Sequence, residues 1–304
     1  MKKKEFVTED GIVYKKRTMS KKDKKNSILY LLASLLGVLV FFILPFLVVI
    51  YYSVVDNPIS HNFVGLDNFI HVLGNSSFLQ AAKNTATFSI VAVPLAVVLS
   101  LVMALILEEN IPMKSQFRTF FLSPMMVPVA SIVLIWQVLF DYNGAINEFA
   151  KNLGASPIDW FKSDYSQIVI VVLFLWKNLG YNMILFMSAL NAIPKDVLEV
   201  ATLESASEFQ KFWYIKLRYL SSTILFVAIL SLINSFKVFR EVYLLTGDYP
   251  YDSLYMLQHF MNNTFRSLDY QKLSAAAIIM GIVMCIVIGF LFFAEDRYGK
   301  DVEG

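Results

Sequence analysis

IPKDVLEVATLESASEFQKFWYIKLRYL, residues 193–220, is the stretch on which the reading of this chain turns. It lies between two long hydrophobic runs. It nevertheless carries helical periodicity and apolar residues that nothing in its own span covers. Pro194 can open a helix, because its missing N–H would have no partner in a first turn anyway. A short helix is expected from there to about Leu203. Near Ser205 the helix-start signals recur: Ser205 with Glu208, or Ser207 with Gln210, fits the S-x-x-E/Q capping box. A second helix then puts Phe209, Phe212, Trp213, Leu217 and Leu220 on one face at i, i+3, i+4 spacing. Two short helices joined by a polar elbow, held between hydrophobic spans, read as a docking element.

Composition says what surrounds the elbow. Of 304 residues, 57% are hydrophobic and 16% charged, whereas soluble domains are about 45–50% apolar. Mean hydropathy is +0.58. Six runs reach the roughly 20 residues that a membrane helix needs: 27–55, 86–107, 119–140, 167–190, 222–245 and 274–294. The elbow fills the 191–221 loop between the fourth and fifth. The first run is too long for a removable signal peptide and has no small-residue cleavage site. Residues 1–26 form a polar leader with ten Lys and Arg, expected to be flexible. Beside a hydrophobic span such a run is an orientation signal rather than a nucleic-acid arm. Residues 27–298 form one membrane domain, and 299–304 a short tail. Pro94, Pro124 and Pro128 interrupt the spans, which is tolerated where neighbouring helices re-satisfy the freed carbonyls, so a packed bundle is expected. The lone Cys285 excludes an internal disulfide and a Cys-based metal cluster.

Charge placement sets the orientation. With the leader inside, the inner segments carry 18 Lys and Arg against 5 outside, and Lys177, Lys237 and Arg240 lie within spans. Without the leader the balance is still 8 to 5. The expected architecture is therefore an all-α polytopic membrane protein with six transmembrane helices and both termini cytoplasmic, so the elbow faces the cytoplasm. Outside, residues 56–83 are expected to form a short surface helix through Phe69, Val72 and Leu73, a belt packing the first span against the second. Trp160, Phe161 and Tyr165 read as interface aromatics. His61, His71 and His259 are scattered over outside segments and read as surface residues rather than metal ligands.

Polar residues inside spans are costly and tend to face the bundle interior or a cavity. The third span offers Ser131, Trp136 and Gln137. The fourth offers Trp176, Lys177, Asn178, Tyr181 and Asn182, with Asn178, Tyr181 and Asn182 on one face. The fifth offers Ser231, Asn234, Lys237 and Glu241 on one face, with Arg240 to the side. Aromatic planes beside amide and charged groups suit a sugar, whose C–H face stacks while its hydroxyls find fixed donors and acceptors. The plainer reading stands beside it: Asn and Ser hydrogen-bond neighbouring helices, and Lys237, Arg240 and Glu241 snorkel or pair with one another.

The 193–220 stretch resembles the cytoplasmic EAA loop of ABC importer permeases, in particular the sugar-permease branch. That loop reads roughly E-A-A-x-x-D-G-A, then F, I and L-P. Here stand Glu199, Val200 and Ala201, then Glu204, Ser205 and Ala206, then Phe212, Ile215 and Leu217. Val200 replaces Ala, Ser205 the Gly of the elbow, and Arg218 the closing Pro. If the elbow needs positive φ, Ser205 carries strain that Gly would not. The resemblance continues through FVGLDNF at 63–69, Asn84-Thr85, the Pro124/Pro128 region and LLTGDYP at 244–250, and covers most of 28–298. In that last motif Gly247-Asp248-Tyr249-Pro250 replaces the family's usual Gly-Gly-Pro.

The resemblance implies a type I ABC importer permease fold and one permease subunit of a carbohydrate importer in a prokaryotic cytoplasmic membrane. It implies a second, similar permease, two ATP-binding subunits, and an extracellular solute-binding protein seated near residues 246–272. No cofactor is expected in this chain, since ATP and Mg would be bound by the ATPase. Glu199, Ala201, Glu204, Ser205, Ala206, Phe209, Phe212 and Trp213 would couple to that ATPase. Ser131, Trp136, Gln137, Trp176, Asn178, Tyr181, Asn182, Asn234, Lys237, Arg240 and Glu241 would line the substrate path. The partners would thus be protein subunits, sugar and membrane lipid, with no nucleic acid.

Catalytic motifs are absent: there is no H-E-x-x-H, no G-x-S-x-G and no phosphate loop G-x-x-x-x-G-K-[ST]. An importer built on this chain would therefore need a separate ATPase. The alternatives are a secondary transporter, a membrane-embedded enzyme, or a permease for a non-sugar solute. The first calls for matched repeats with broken helices, and no internal repeat is evident. The second calls for convergent acid and base groups, and Glu241 is the lone carboxylate within the spans.

Overall fold

Backbone donors and acceptors in a bilayer must be satisfied within the protein, which leaves helices as the way for these hydrophobic runs to cross. A computed structural model describes residues 5–7, 13–15, 31–32, 34–109 and 112–299. Most of the 1–26 leader and of the 299–304 tail lies outside these residues. Within the leader, β1 (Glu5–Val7) pairs antiparallel with β2 (Val13–Lys15), Phe6 opposite Tyr14.

The first span, α1 (Ser34–Ser53), contains one π-helical turn at Leu39–Ile43. It lies along the last helix, α13 (Tyr270–Gly299). The short α2 (Asp67–Leu73) fastens them together. Asn68 Nδ2 donates to the carbonyls of Ser53 and Val55 at 3.0 and 2.9 Å. Val72, fully buried, joins Phe78, Ala81, Ala275 and Ala276 in one apolar cluster. The belt thus reaches the second span and the last as well as the first.

Two spans depart from their expected outlines. α3 (Ser76–Glu108) begins well before residue 86, because Asn75 caps it by accepting the Phe78 N–H at 3.0 Å. The run 119–140 is not one straight crossing: α4 (Lys114–Met126) and α5 (Val129–Leu139) meet at 100°. Pro128 is the cause. It drives Val127 out of the helical region, to φ −82° and ψ 131°.

The chain continues through α6 (Ala145–Asn152), α7 (Ser166–Asn191), α8 (Lys195–Leu203), α9 (Glu208–Lys211), α10 (Ser221–Lys237), α11 (Phe239–Thr246) and α12 (Leu257–Arg266), with short helical turns at Phe212–Lys216, Leu217–Tyr219 and Asp252–Leu254. The fifth run is α10 and α11, separated only by Val238, whose φ of −62° and ψ of −17° remain helical, so the two form one apolar span, Ser221–Thr246. The described residues hold five helices long and apolar enough to cross a membrane, or six if the bent α4–α5 pair counts as one.

α3 and α7 form the spine of the bundle. At the elbow end Leu107, Phe186, Leu190, Ile193 and Leu220 pack together. At the other end Phe88, Phe174, Val242 and Leu254 do so. Gly180 lets α4 cross the spine, since a Cβ there would stand 1.9 Å from the Phe121 carbonyl oxygen. At Gly281 a Cβ would meet nothing within 4 Å. Gly180→Ala should therefore lower the apparent Tm of the detergent-purified protein, by an overpacking cost of about 1–3 kcal/mol. Gly281→Ala should leave it unchanged, and equal melting of the two variants would count against the α4–α7 crossing.

Candidate functional site

The elbow forms from the local signals. α8 starts after Pro194, and the chain reverses at Ser205, whose φ is +61°. The turn thus does place a serine in the left-handed conformation that glycine adopts freely, at a cost of about 1 kcal/mol. The Ala206 N–H closes the turn onto the Ala201 carbonyl at 2.9 Å. Of the two possible capping boxes, Ser207 with Gln210 forms: the Ser207 N–H reaches Gln210 Oε1 at 2.8 Å, and the Gln210 N–H reaches Ser207 Oγ at 3.3 Å. The second helix is not continuous α. A π turn over Phe212–Lys216 follows α9 and rotates the apolar stripe, sending Leu220 into the core.

The elbow's free surface is correspondingly redistributed. Phe209 is 71% exposed and Leu203 84%. Trp213, Val200 and Tyr214 are exposed as well. Glu199, Glu204 and Ser205 are exposed, Ala206 and Phe212 half-buried, and Ala201 buried at the base of α8. Leu203 and Tyr214 were missed by the periodicity argument, which assumed unbroken helices. Two ion pairs fix the base: Lys211 with Glu208 and Lys216 with Glu108 at the end of α3, both at 2.7 Å. The hydrogen bond from Lys211 holds the Glu208 carboxyl below the usual carboxylate range.

The polar residues of the fourth and fifth spans divide into two sets. One set lines a cavity of about 330 Å³ between α7, α10, α11 and the end of α4: Lys177, Asn178, Tyr181, Asn234, Lys237, Arg240 and Glu241, with Met125, Leu173, Phe174, Leu230 and Val238 as its apolar wall. Lys177, left off the path in the sequence reading, is central to it. Its ammonium pairs with Glu241 Oε1. Glu241 is buried, and its Oε2 finds no hydrogen-bond partner among the described residues. Asn234 Nδ2 donates to Asn178 Oδ1 at 2.9 Å, and Asn178 Nδ2 to the Phe174 carbonyl at 2.8 Å.

The other set lies off the cavity. Asn182 is buried and donates to Ser231 Oγ at 3.0 Å, so both belong to helix packing. The Trp136 and Trp176 rings pack with centroids 5.7 Å apart. Gln137 reaches the Leu245 carbonyl at 3.4 Å, and Ser131 is exposed on α5. Trp160 donates to the buried Asn147 at 3.0 Å inside an aromatic cluster with Phe140 and Tyr165.

At the end of the bundle opposite the elbow, the segment after α11 is stitched down. Gly247 has φ +80° and ψ −160°, a conformation glycine alone takes readily. Asn84 Nδ2 donates to the carbonyls of Asp252 and Tyr255, and Thr85 accepts the Leu257 N–H at 2.9 Å. His259 is here, and it is not a surface residue. It is fully buried, its Nδ1 accepts the Met256 N–H at 3.3 Å, and its ring packs edge-to-face on Phe239. Burial pushes its pKa down to about 4, against a weaker upward pull from Asp248.

Comparison with known proteins gives this geometry a context. A family model described as "Binding-protein-dependent transport system inner membrane component" matches residues 96–298. The chain is 30% identical over 286 residues to the trehalose/maltose transport system permease protein MalF of Thermococcus litoralis, covering 92% of this chain and 96% of that one. It is 30% identical to the sn-glycerol-3-phosphate transport system permease protein UgpA of Rhizobium meliloti, over 84% and 88% of the two chains. Its fold superposes with a TM-score of 0.80 on a chain of a bacterial ABC transporter involved in import of the acidic polysaccharide alginate, at 19% identity, covering 92% and 99%.

Two outcomes follow from the site's electrostatics. Lys177→Met should destabilise the protein by about 3–5 kcal/mol, because it strands a buried carboxylate. Adding Glu241→Gln should recover most of the loss, as read by thermal unfolding of both variants. For His259 the folded pKa lies below the unfolded value of 6.5. The unfolded chain therefore binds the proton first as pH falls, and stability drops between about pH 6.5 and 4, by a few kcal/mol at most. In His259→Gln that component of the pH profile should vanish, whereas an unchanged profile would mean another group is responsible.

Proposed function

The chain belongs to the family of binding-protein-dependent transport system inner membrane components, and from that membership we propose that it is one permease subunit of an ATP-driven carbohydrate importer. The observation that carries the proposal is physical continuity. The exposed apolar elbow is the connection between α7 and α10, and those two helices wall the polar cavity. A groove on a separate ATPase would receive Leu203, Phe209 and Trp213 in helix-in-groove fashion. ATP-driven movement of that groove would pass to α7 and α10 as a rigid-body displacement.

In this reading the elbow faces the cytoplasm, and the chain sits in the cytoplasmic membrane of a prokaryote. It pairs with a second, similar permease, two ATP-binding subunits and an extracellular solute-binding protein docked on the opposite end, near residues 246–272. ATP and Mg belong to the partner ATPase, and no catalytic site is assigned to this chain. The curated relatives' names favour a sugar or sugar-like solute, and a cavity with amide, hydroxyl and charged groups beside Tyr181 and Phe174 suits one. Membership of a family of membrane transport subunits supports this reading over a secondary transporter or a membrane enzyme.

The test is functional coupling. Glu199→Lys or Trp213→Asp should cut ATP-dependent sugar uptake at least tenfold, while the chain still assembles in the membrane. An ATPase and a second permease should co-purify with the wild-type chain. Normal uptake with both variants would remove the elbow from the mechanism.

A further inference from the structure

The cavity's charges do not balance. Lys177 is neutralised by Glu241, but Lys237 and Arg240 have no hydrogen-bond or ion-pair partner among the described residues. Both lie within the segment apolar enough to cross a membrane, Ser221–Thr246. Ionisable side chains at such depth mark a solute pathway or a matching opposite charge. Both side chains are exposed on the wall of the cavity, beside the buried Glu241. Two cations without a counter-charge, lining a cavity within a membrane-spanning helix, call for an anion from elsewhere.

Resting on the reading of this cavity as a carbohydrate path, we propose that the transported saccharide carries an anionic group, a carboxylate or a phosphate ester, held by Lys237 and Arg240. Arg240 offers a planar fork that engages two oxygens of either group, and Lys237 adds a point charge. The rest of the cavity serves the hydroxyls. Asn178, Asn234 and Tyr181 on the cavity wall offer the polar contacts. At about 330 Å³ the space is at the lower end for ligand sites. It therefore holds one or two sugar units at a time.

The test is direct binding to the assembled membrane complex in nanodiscs, without the soluble binding protein, with substitutions at Lys237 and Arg240 reporting on this cavity. The probes are digalacturonate, glucose 6-phosphate and maltose, titrated calorimetrically at low and high salt. The acidic probes should bind at least tenfold more tightly than maltose, less so in high salt. The advantage should disappear in Lys237→Gln/Arg240→Gln, and whichever acid binds better separates carboxylate from phosphate. Maltose bound as tightly as the acids, and unaffected by the double substitution, would overturn the anionic assignment but leave the carbohydrate path standing. Binding of none of the three would overturn both. If the double variant loses its co-purifying permease yet keeps full affinity for the acids, the two cations serve a protein interface and the proposal fails.

Discussion

A set of polar cross-links between α7 and the α10–α11 segment organises the bundle. Lys177 meets Glu241, Asn178 meets Asn234, and Asn182 meets Ser231. As the numbers rise along α7 they fall along its partner, so these are successive rungs between antiparallel helices. Ser89 and Ser235, 2.9 Å apart, tie α3 to the same face. Each neutral rung contributes about 0.6 kcal/mol on average in membrane proteins, because unfolded segments also find partners. The ion pair is different in kind. Removing Lys177 leaves the buried Glu241 carboxylate without its counter-charge, so α7 and α11 are costlier to separate there than along their apolar contacts.

The elbow is exposed at its tip and anchored at its base. Its two ends, Ile193 and Leu220, are buried in the core between α3 and α7. The Lys216–Glu108 pair adds a third anchor. The surface around Val200, Leu203, Phe209, Trp213 and Tyr214 projects. The strained Ser205 persists because both flanking helices over-determine the reversal, as residues in sparsely populated conformations generally require. The π turn after Lys211 has a similar logic. One added residue in the helical repeat lets Phe209 and Trp213 stay outside while Leu220 turns inward.

Much of this was legible in the sequence, and the rest was hidden for identifiable reasons. Hydropathy located the membrane runs, Pro194 and the Ser207 box marked the elbow's helices, and the polar faces of the fourth and fifth spans led to the cavity. The 100° bend between Met126 and Val129 was not legible, because prolines occur both inside membrane helices and at their ends. Only the extended conformation forced on Val127 decides between the two. Periodicity placed Asn178 and Asn182 on one face, yet Asn178 lines the cavity and Asn182 is spent on Ser231. A helix face is wider than the space it borders. His259 was misplaced because segments outside the spans were assumed to lie on the surface, whereas the one after α11 folds back into its own apolar cluster. Lys177 was seen but set aside, since its partner is 64 residues away, beyond what periodicity can pair.

The ladder is uneven along its length. α10 is held to α7 by the amide and hydroxyl rungs, whereas α11 carries the ion pair to Lys177. Val238 and Val242 are buried in the cluster with Phe88, Phe174 and Leu254, so apolar packing and the ion pair coincide at the end of the span away from the elbow. Separating α7 from this span is therefore cheapest near Asn182 and Ser231 and costliest near Lys177 and Glu241.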